Sequence, residues 1–205
     1  MASKTQICNF ALGLVASEGI NSIDDATEPA RQCKLHLDQT TREVLRLAPW
    51  RSCRKRAVLV ANAAVPAFGW DKSYLLPVDW LRMVSFNDID PTDIRRELFE
   101  VEGRELLTDE ATANIIYIAD VTTEVGGAGY NRLDALLTKA IYYSLAAKLA
   151  WPLQQSRTLA ESLNASADAL VRQAKSVNAR DAFEPLINPV DGSDWVNARQ
   201  SSTNG

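Results

Sequence analysis

Between residues 54 and 122 the apolar residues of this chain stop recurring at threes and fours and come instead in short runs broken by turns. That change of period constrains the fold more than any other feature, because helices flank it on both sides. Upstream, Ile7, Phe10/Ala11 and Leu14/Val15 share one helical face over about 5–17, with Gly19 placed as a left-handed stop. Thr27-Glu28-Pro29 then supplies a capping hydroxyl, an acidic first turn and an early proline. The stripe Cys33, Leu37, Thr40/Thr41, Val44/Leu45 and Ala48 follows, and Pro49 ends it. In the middle, Ala57–Val60, Tyr74–Leu76 and Arg82–Phe86 read as strands. Two further segments flanking Glu102-Gly103 read as a hairpin, and Asn114–Ala119 is the clearest strand. The connections are too short for parallel crossovers, so the pairing is expected to be mostly antiparallel.

Downstream, Leu133, Leu137, Ala140/Ile141, Leu145 and Leu149 repeat at helical spacing until Trp151-Pro152, which is expected to stop the helix. Ser156 opens another helix carrying Leu159, Leu163, Ala167, Leu170, Ala174 and Val177. The expected fold class is therefore α+β. Two N-terminal helices (1–53) and two C-terminal helices (126–183) form a four-helix bundle, with a mostly antiparallel β insertion at 54–125. Residues 184–205 form an extended C-terminal tail: Pro185 and Pro189 break the helix, and Leu186, Ile187, Trp195 and Val196 are apolar groups in a polar segment. Such a segment is ordered only by a partner, with Trp195 the expected anchor and Leu186 and Ile187 beside it.

Composition narrows the function classes. Of 205 residues, 46% are hydrophobic and 23% charged, which excludes a wholly disordered chain, a collagen and a coiled-coil rod. The net charge of −4 argues against non-specific wrapping of nucleic acid, though not against contact at one local patch. The single histidine, His36, lies on a helix face, and the three cysteines, Cys8, Cys33 and Cys53, are widely spaced. These cysteines read as reduced thiols, and no recognisable zinc set or nucleophile–histidine device can be assembled. Phe10–Ala16 reads as a helix of the mature protein rather than a signal peptide, and no stretch reaches the ~20 apolar residues of a membrane span.

No motif carries catalysis, metal or cofactor. Gly126-Gly127-Ala128-Gly129 lacks the lysine and the spacing of a phosphate loop and reads as a flexible joint. Asp88, Asp90 and Asp93 lack the glycine and closing glutamate of a calcium loop. Glu97, Glu100, Glu102 and Glu105 alternate along the hairpin and read as a solvated face. The one concentrated basic run, Arg51-Ser-Cys-Arg54-Lys55-Arg56, can meet phosphate, an acidic patch on a protein, or solvent. Phe68, Trp70, Tyr74 and Trp80 belong to the core of the β region, while Phe68-Gly-Trp70 in a loop is a candidate interface anchor.

The segment Phe68-Gly-Trp70…Tyr74-Leu-Leu-Pro-Val-Asp-Trp-Leu-Arg-Met83 follows Ala-Pro-Trp50 and precedes Ala140-Ile-Tyr-Tyr-Ser-Leu-Ala-Ala-Lys-Leu-Ala-Trp-Pro152. In these motifs and in the order of its elements, the chain resembles the head-to-tail adaptors of tailed bacteriophages, in particular the tail tubular protein A type of short-tailed phages. The resemblance implies a structural, non-enzymatic subunit of the virion, assembled in the host cytoplasm. It implies a homo-oligomeric ring, dodecameric in that family, below the portal protein. The ring would extend the channel for double-stranded DNA without binding it tightly and dock the tail nozzle or tube. It also implies that the C-terminal region reaches the portal. No membrane contact is expected. The alternatives are a carboxylate-based tail-associated lytic enzyme and a small helical DNA-binding protein using Arg51–Arg56.

Overall fold

Each α-helix begins on a side chain that the sequence supplies for the purpose. In the computed structural model, which describes residues 3–89 and 98–181, Ser3 and Gln6 form a reciprocal capping box at the start of α1 (Lys4–Leu14). Thr27 accepts from the Ala30 amide at the start of α2 (Glu28–Arg46), with Pro29 in the first turn. Asp134 caps α3 (Ala135–Gln154) and Ser156 caps α4 (Arg157–Arg180).

Two helix ends differ from expectation. The first helix stops at Leu14, and the left-handed residue is Ala16 (φ 51°) rather than Gly19. The Ala16 and Ser17 amides donate back to Gly13 and Leu12, the paired bonds of a Schellman stop. Asn9 explains the position, because its side chain bonds both the amide and the carbonyl of Ile20 and draws the following turn onto α1. Pro152 does not stop α3 but lies in its last turn, and the left-handed Gln155 (φ 53°) ends the helix. A proline there forfeits one intrahelical donor while its fixed φ still suits a helix.

The middle region forms two three-stranded antiparallel sheets. Strands β1 (Arg54–Leu59), β6 (Ala113–Ala119) and β3 (Trp80–Phe86) make one sheet in the order β1-β6-β3. Strands β2 (Lys72–Leu75), β5 (Glu105–Thr108) and β4 (Glu100–Glu102) make the other in the order β2-β5-β4. A bridge between Ala61 and Tyr74 joins them. The α+β class thus holds, with α1 and α2 before the antiparallel strands and α3 and α4 after them.

Period-two alternation assigns β6 to two cores. Ile118 joins the helical core with Leu81, Val121 and Tyr130, whereas Ile115, Tyr117 and Ala119 pack with Leu59, Tyr74, Leu76 and Leu106 from both sheets. One face of the first sheet therefore meets the helices and the other meets the second sheet. Within the helical layer, α3 packs against α1, α2 and α4. It is buried on more than the single stripe that its leucines suggest: Thr138, Ala146 and Ala150 are buried as well as Leu137, Ile141, Leu145 and Leu149. Small residues on these extra faces let neighbouring helices approach.

The glycine run is a joint, and a tight one. It forms a 3-10 segment over Val125–Arg132, with Gly126 (φ 66°) and Gly127 (φ 75°) in left-handed conformations. A Cβ on Gly129 would stand 2.3 Å from the Val121 carbonyl oxygen, which belongs to backbone and cannot swing away. Two stability outcomes follow. Gly129→Ala is expected to cost at least about 1–3 kcal/mol, the usual range for overpacking. Ala16→Gly, at an exposed left-handed position, is expected to stabilise by a few tenths to about 1 kcal/mol, since a left-handed alanine costs ~1–2 kcal/mol and glycine's extra unfolded-state entropy returns part of it. Urea denaturation of both variants measures these changes; a neutral Gly129→Ala contradicts the close approach.

Candidate functional site

Strand alternation divides the basic run. Arg51 opens a short 3-10 turn, and its amide donates to the Asn178 side chain, docking this corner on α4. Arg54 donates to the Pro49 carbonyl. Lys55 points to the opposite side from Arg54 and Arg56, and reaches Asp79 at 2.7 Å and Glu124 at 3.3 Å. Asp79 also accepts from the Tyr117 hydroxyl at 2.9 Å, and Glu124 pairs with Arg132. Lys55 is therefore a structural cation. Arg56 is exposed and has no ion pair among the described residues. It lines a shallow depression with Val58, Asp88, Asn114 and Ile116. Beyond it Val58 (76% exposed) and Val60 (83%) stand in water. The helices cover the Ile118 end of this sheet face and leave the Arg56–Val60 end bare.

Phe68 and Trp70 lie in the loop joining β1 to β2. This loop folds over the outer face of the second sheet and forms one wall of a hollow of about 520 Å³. Leu75, Glu100, Glu102 and Glu105 supply other parts of its lining. The Trp70 indole donates to Glu100 at 3.4 Å, while Phe68 is 89% exposed. Glu102 and Glu105 face each other directly across the β4–β5 hairpin, whose two-residue turn places Gly103 at φ 57°. Like charges in that register repel. Arg104, the adjacent cation, is directed elsewhere and donates to the carbonyls of Leu76, Pro77 and Val78. Aromatic rings beside carboxylates that pair with no cation among the described residues form a surface suited to a cation with an apolar stem.

The structure thus brings Phe68 and Trp70 together with the hairpin glutamates, and separates Arg51, Arg54 and Arg56 from them. Leu186, Ile187 and Trp195, with Glu97, Asp90 and Asp93, lie outside the described residues. Trp80 and Tyr74 belong to the β core, and Trp50 is buried with its indole on the Val44 carbonyl. His36 is half-buried on α2; burial first and then Lys148 lower its pKa. The cysteines are free and buried. Among the described residues no three His, Cys, Asp or Glu side chains converge as a metal site, and no helix is long and apolar enough to cross a membrane. Val58, Val60 and Ile116 were not singled out by sequence, although period-two alternation around Arg56 carries the signal. The closure of the 62–70 loop over the hairpin has no local signal, because the glutamates lie some thirty residues further on. No protein-family model matches the chain, and no curated protein matches it.

The Lys55–Asp79–Tyr117 cluster sets a pH dependence. Burial opposes ionisation of Asp79, but hydrogen bonds from Lys55 and Tyr117 outweigh it and hold the carboxyl below its ordinary value. Lys55 is held above its ordinary value chiefly by Asp79, and burial, then Asp79, pushes Tyr117 up to about 12. A depressed carboxyl contributes stability above its unfolded pKa of ~3.9 and loses it as pH falls through the folded value. A raised lysine contributes below ~10.4 and loses its contribution as pH rises through the folded value. Asp79→Asn is expected to destabilise at about pH 7, with the deficit shrinking below about pH 4. Denaturant titrations over that range measure it, and a deficit undiminished in acid contradicts the ion-pair account.

Proposed function

We propose that the protein is a structural head-to-tail adaptor of a tailed bacteriophage, one subunit of a homo-oligomeric ring between the portal and the tail nozzle or tube. The observation that carries the reading is two groups of exposed apolar side chains on the β region: Val58 and Val60 by the first sheet, and Phe68, Val65 and Leu75 at the hollow on the second. Isolated exposed apolar residues are ordinary, but contiguous ones mark surfaces that other chains cover. The sequence motifs running from Phe68 to Met83 and from Ala140 to Pro152 supply the tail tubular protein A-type resemblance that gives the assembly its place.

In this reading the four helices act as a bundle-like body built around α3, and the β region serves its neighbours. The ring order is that of the family, twelve. The C-terminal tail reaches the portal with Trp195 as its anchor, and double-stranded DNA passes through the channel without being held. The protein works in the virion, at the head–tail junction, and carries out no catalysis.

The test is native mass spectrometry of the full chain, alone and with purified portal protein. Closed rings, and a portal complex whose affinity falls about tenfold or more on Trp195→Ala, are expected. A chain that stays monomeric with and without portal overturns the reading. So does turnover of peptidoglycan that is abolished by a single Glu→Gln substitution at the hollow.

A further inference from the structure

The two bare surfaces of the β region face opposite ways. Arg56, Val58 and Ile116 share the face of the first sheet that looks away from the second sheet. The hollow lies on the face of the second sheet that looks away from the first, as the pairing of Ser73 with Leu107 and Leu75 with Glu105 places it. Stacked sheets lie ~10 Å apart, and Arg56 is fixed in a paired strand with its side chain on the face away from the second sheet. Arg56 therefore cannot fill the hollow of its own subunit across the β core.

The surfaces are complementary in chemistry. One presents a guanidinium among valines at an edge strand. The other presents Trp70 and Phe68 beside Glu100, Glu102 and Glu105, with Glu102 and Glu105 in a repulsive pairing that no described cation relieves. A guanidinium stacks on an indole and bonds carboxylates at the same time, which an ammonium does less well. We infer that the Arg56–Val60 edge of one subunit docks in the Phe68–Trp70–glutamate hollow of a second copy of this chain.

This contact is head-to-tail, since it uses different surfaces on the two copies, and its repetition closes a ring when the rotation allows. Arg56 enters between the two facing glutamates, offsets one of their two charges and so relieves their repulsion. Val58 and Val60 cover the exposed ring of Phe68. The inference rests on the proposal that the chain assembles with itself, and it names the surfaces that do so.

Charge reversal tests it. Arg56→Glu alone, and Glu102→Lys/Glu105→Lys alone, are each expected to weaken self-association of the full chain by about tenfold or more in sedimentation velocity, because each places like charges in contact. Circular dichroism of each variant should match the parent, as all three positions are exposed. Mixing the two variants is the decisive arm. The acidic edge of the Arg56→Glu variant then meets the lysine hollow of the other, and the unaltered Arg56 edge meets a glutamate hollow, so assembly returns in alternating order. Combining all three substitutions in one chain restores it too. Parent-like assembly of the single-surface variants, or failure of both mixing and combination to restore it, overturns this interface while leaving ring formation standing. A monomeric parent chain overturns the inference together with the proposal beneath it.

Discussion

Among the described residues Asp120 is the one charged residue that is buried, and the junction between helices and sheets is built around it. It follows β6 directly, at the point where the chain leaves the first sheet for the helical layer. One carboxylate oxygen accepts from the Arg42 guanidinium of α2 at 2.6 Å; the other accepts from the Thr122 amide and hydroxyl at 2.9 and 2.7 Å. Its backbone amide donates to the Asp79 carbonyl at 2.7 Å. A carboxylate removed from water needs this complete a set of partners. The carboxylate's partners come from α2 and from the turn after β6, so satisfying one charge aligns those two parts of the chain, and the backbone amide ties the segment before β3 to the same residue. The polar cluster beside it extends the arrangement: Tyr130 donates to Asp38 at 2.7 Å, and Lys4 of α1 pairs with the same Asp38 at 3.0 Å.

Given that alignment, β6 serves two cores at once. Its odd positions from Ala113 to Ala119 enter the space between the sheets, and Ile118 enters the helical core. The first sheet extends further than the helices that cover it, so its distal end keeps Arg56, Val58 and Val60 in solvent. The exposure follows from the lengths of the elements and not from any unusual local composition. The second sheet closes the other side, and its outer face receives the β1–β2 loop.

The charges are sorted by the same geometry. Lys55 is a neighbouring cation of opposite strand parity to Arg54 and Arg56, and that parity sends it into an ion-pair cluster with Asp79 and Glu124 while Arg56 remains at the surface. A basic run read along the sequence as one patch is thus divided in space, with Lys55 committed to the fold and Arg56 exposed. The hairpin glutamates show the converse. Residues that look like an ordinary solvated face become a concentrated anionic wall once the 62–70 loop sets two aromatic rings beside them.

The sequence by itself determined what depends on neighbours within a few residues. Helix starts at Thr27 and Ser156, the existence of the hairpin and the strand at Asn114–Ala119 are legible because capping, turn conformation and side-chain period act locally. The Ser3 cap was not read, and the hairpin turn lies one residue later than expected, at Gly103–Arg104. The helix stop at Ala16 was not legible, since Asn9 and Ile20 impose it through a tertiary bond stronger than alanine's reluctance to go left-handed. Nor was the persistence of α3 through Pro152, or its burial on several faces, which other helices supply. Only the tertiary structure decided that Phe68 and Trp70 meet Glu100, Glu102 and Glu105, and that Arg56 faces away from them. Such contacts join residues some thirty to forty positions apart, and their cost is the entropy of closing the intervening chain. It is offset by the burial of Tyr74, Leu76 and Leu106 against β6, a sum over the whole β core that no local stretch of residues encodes.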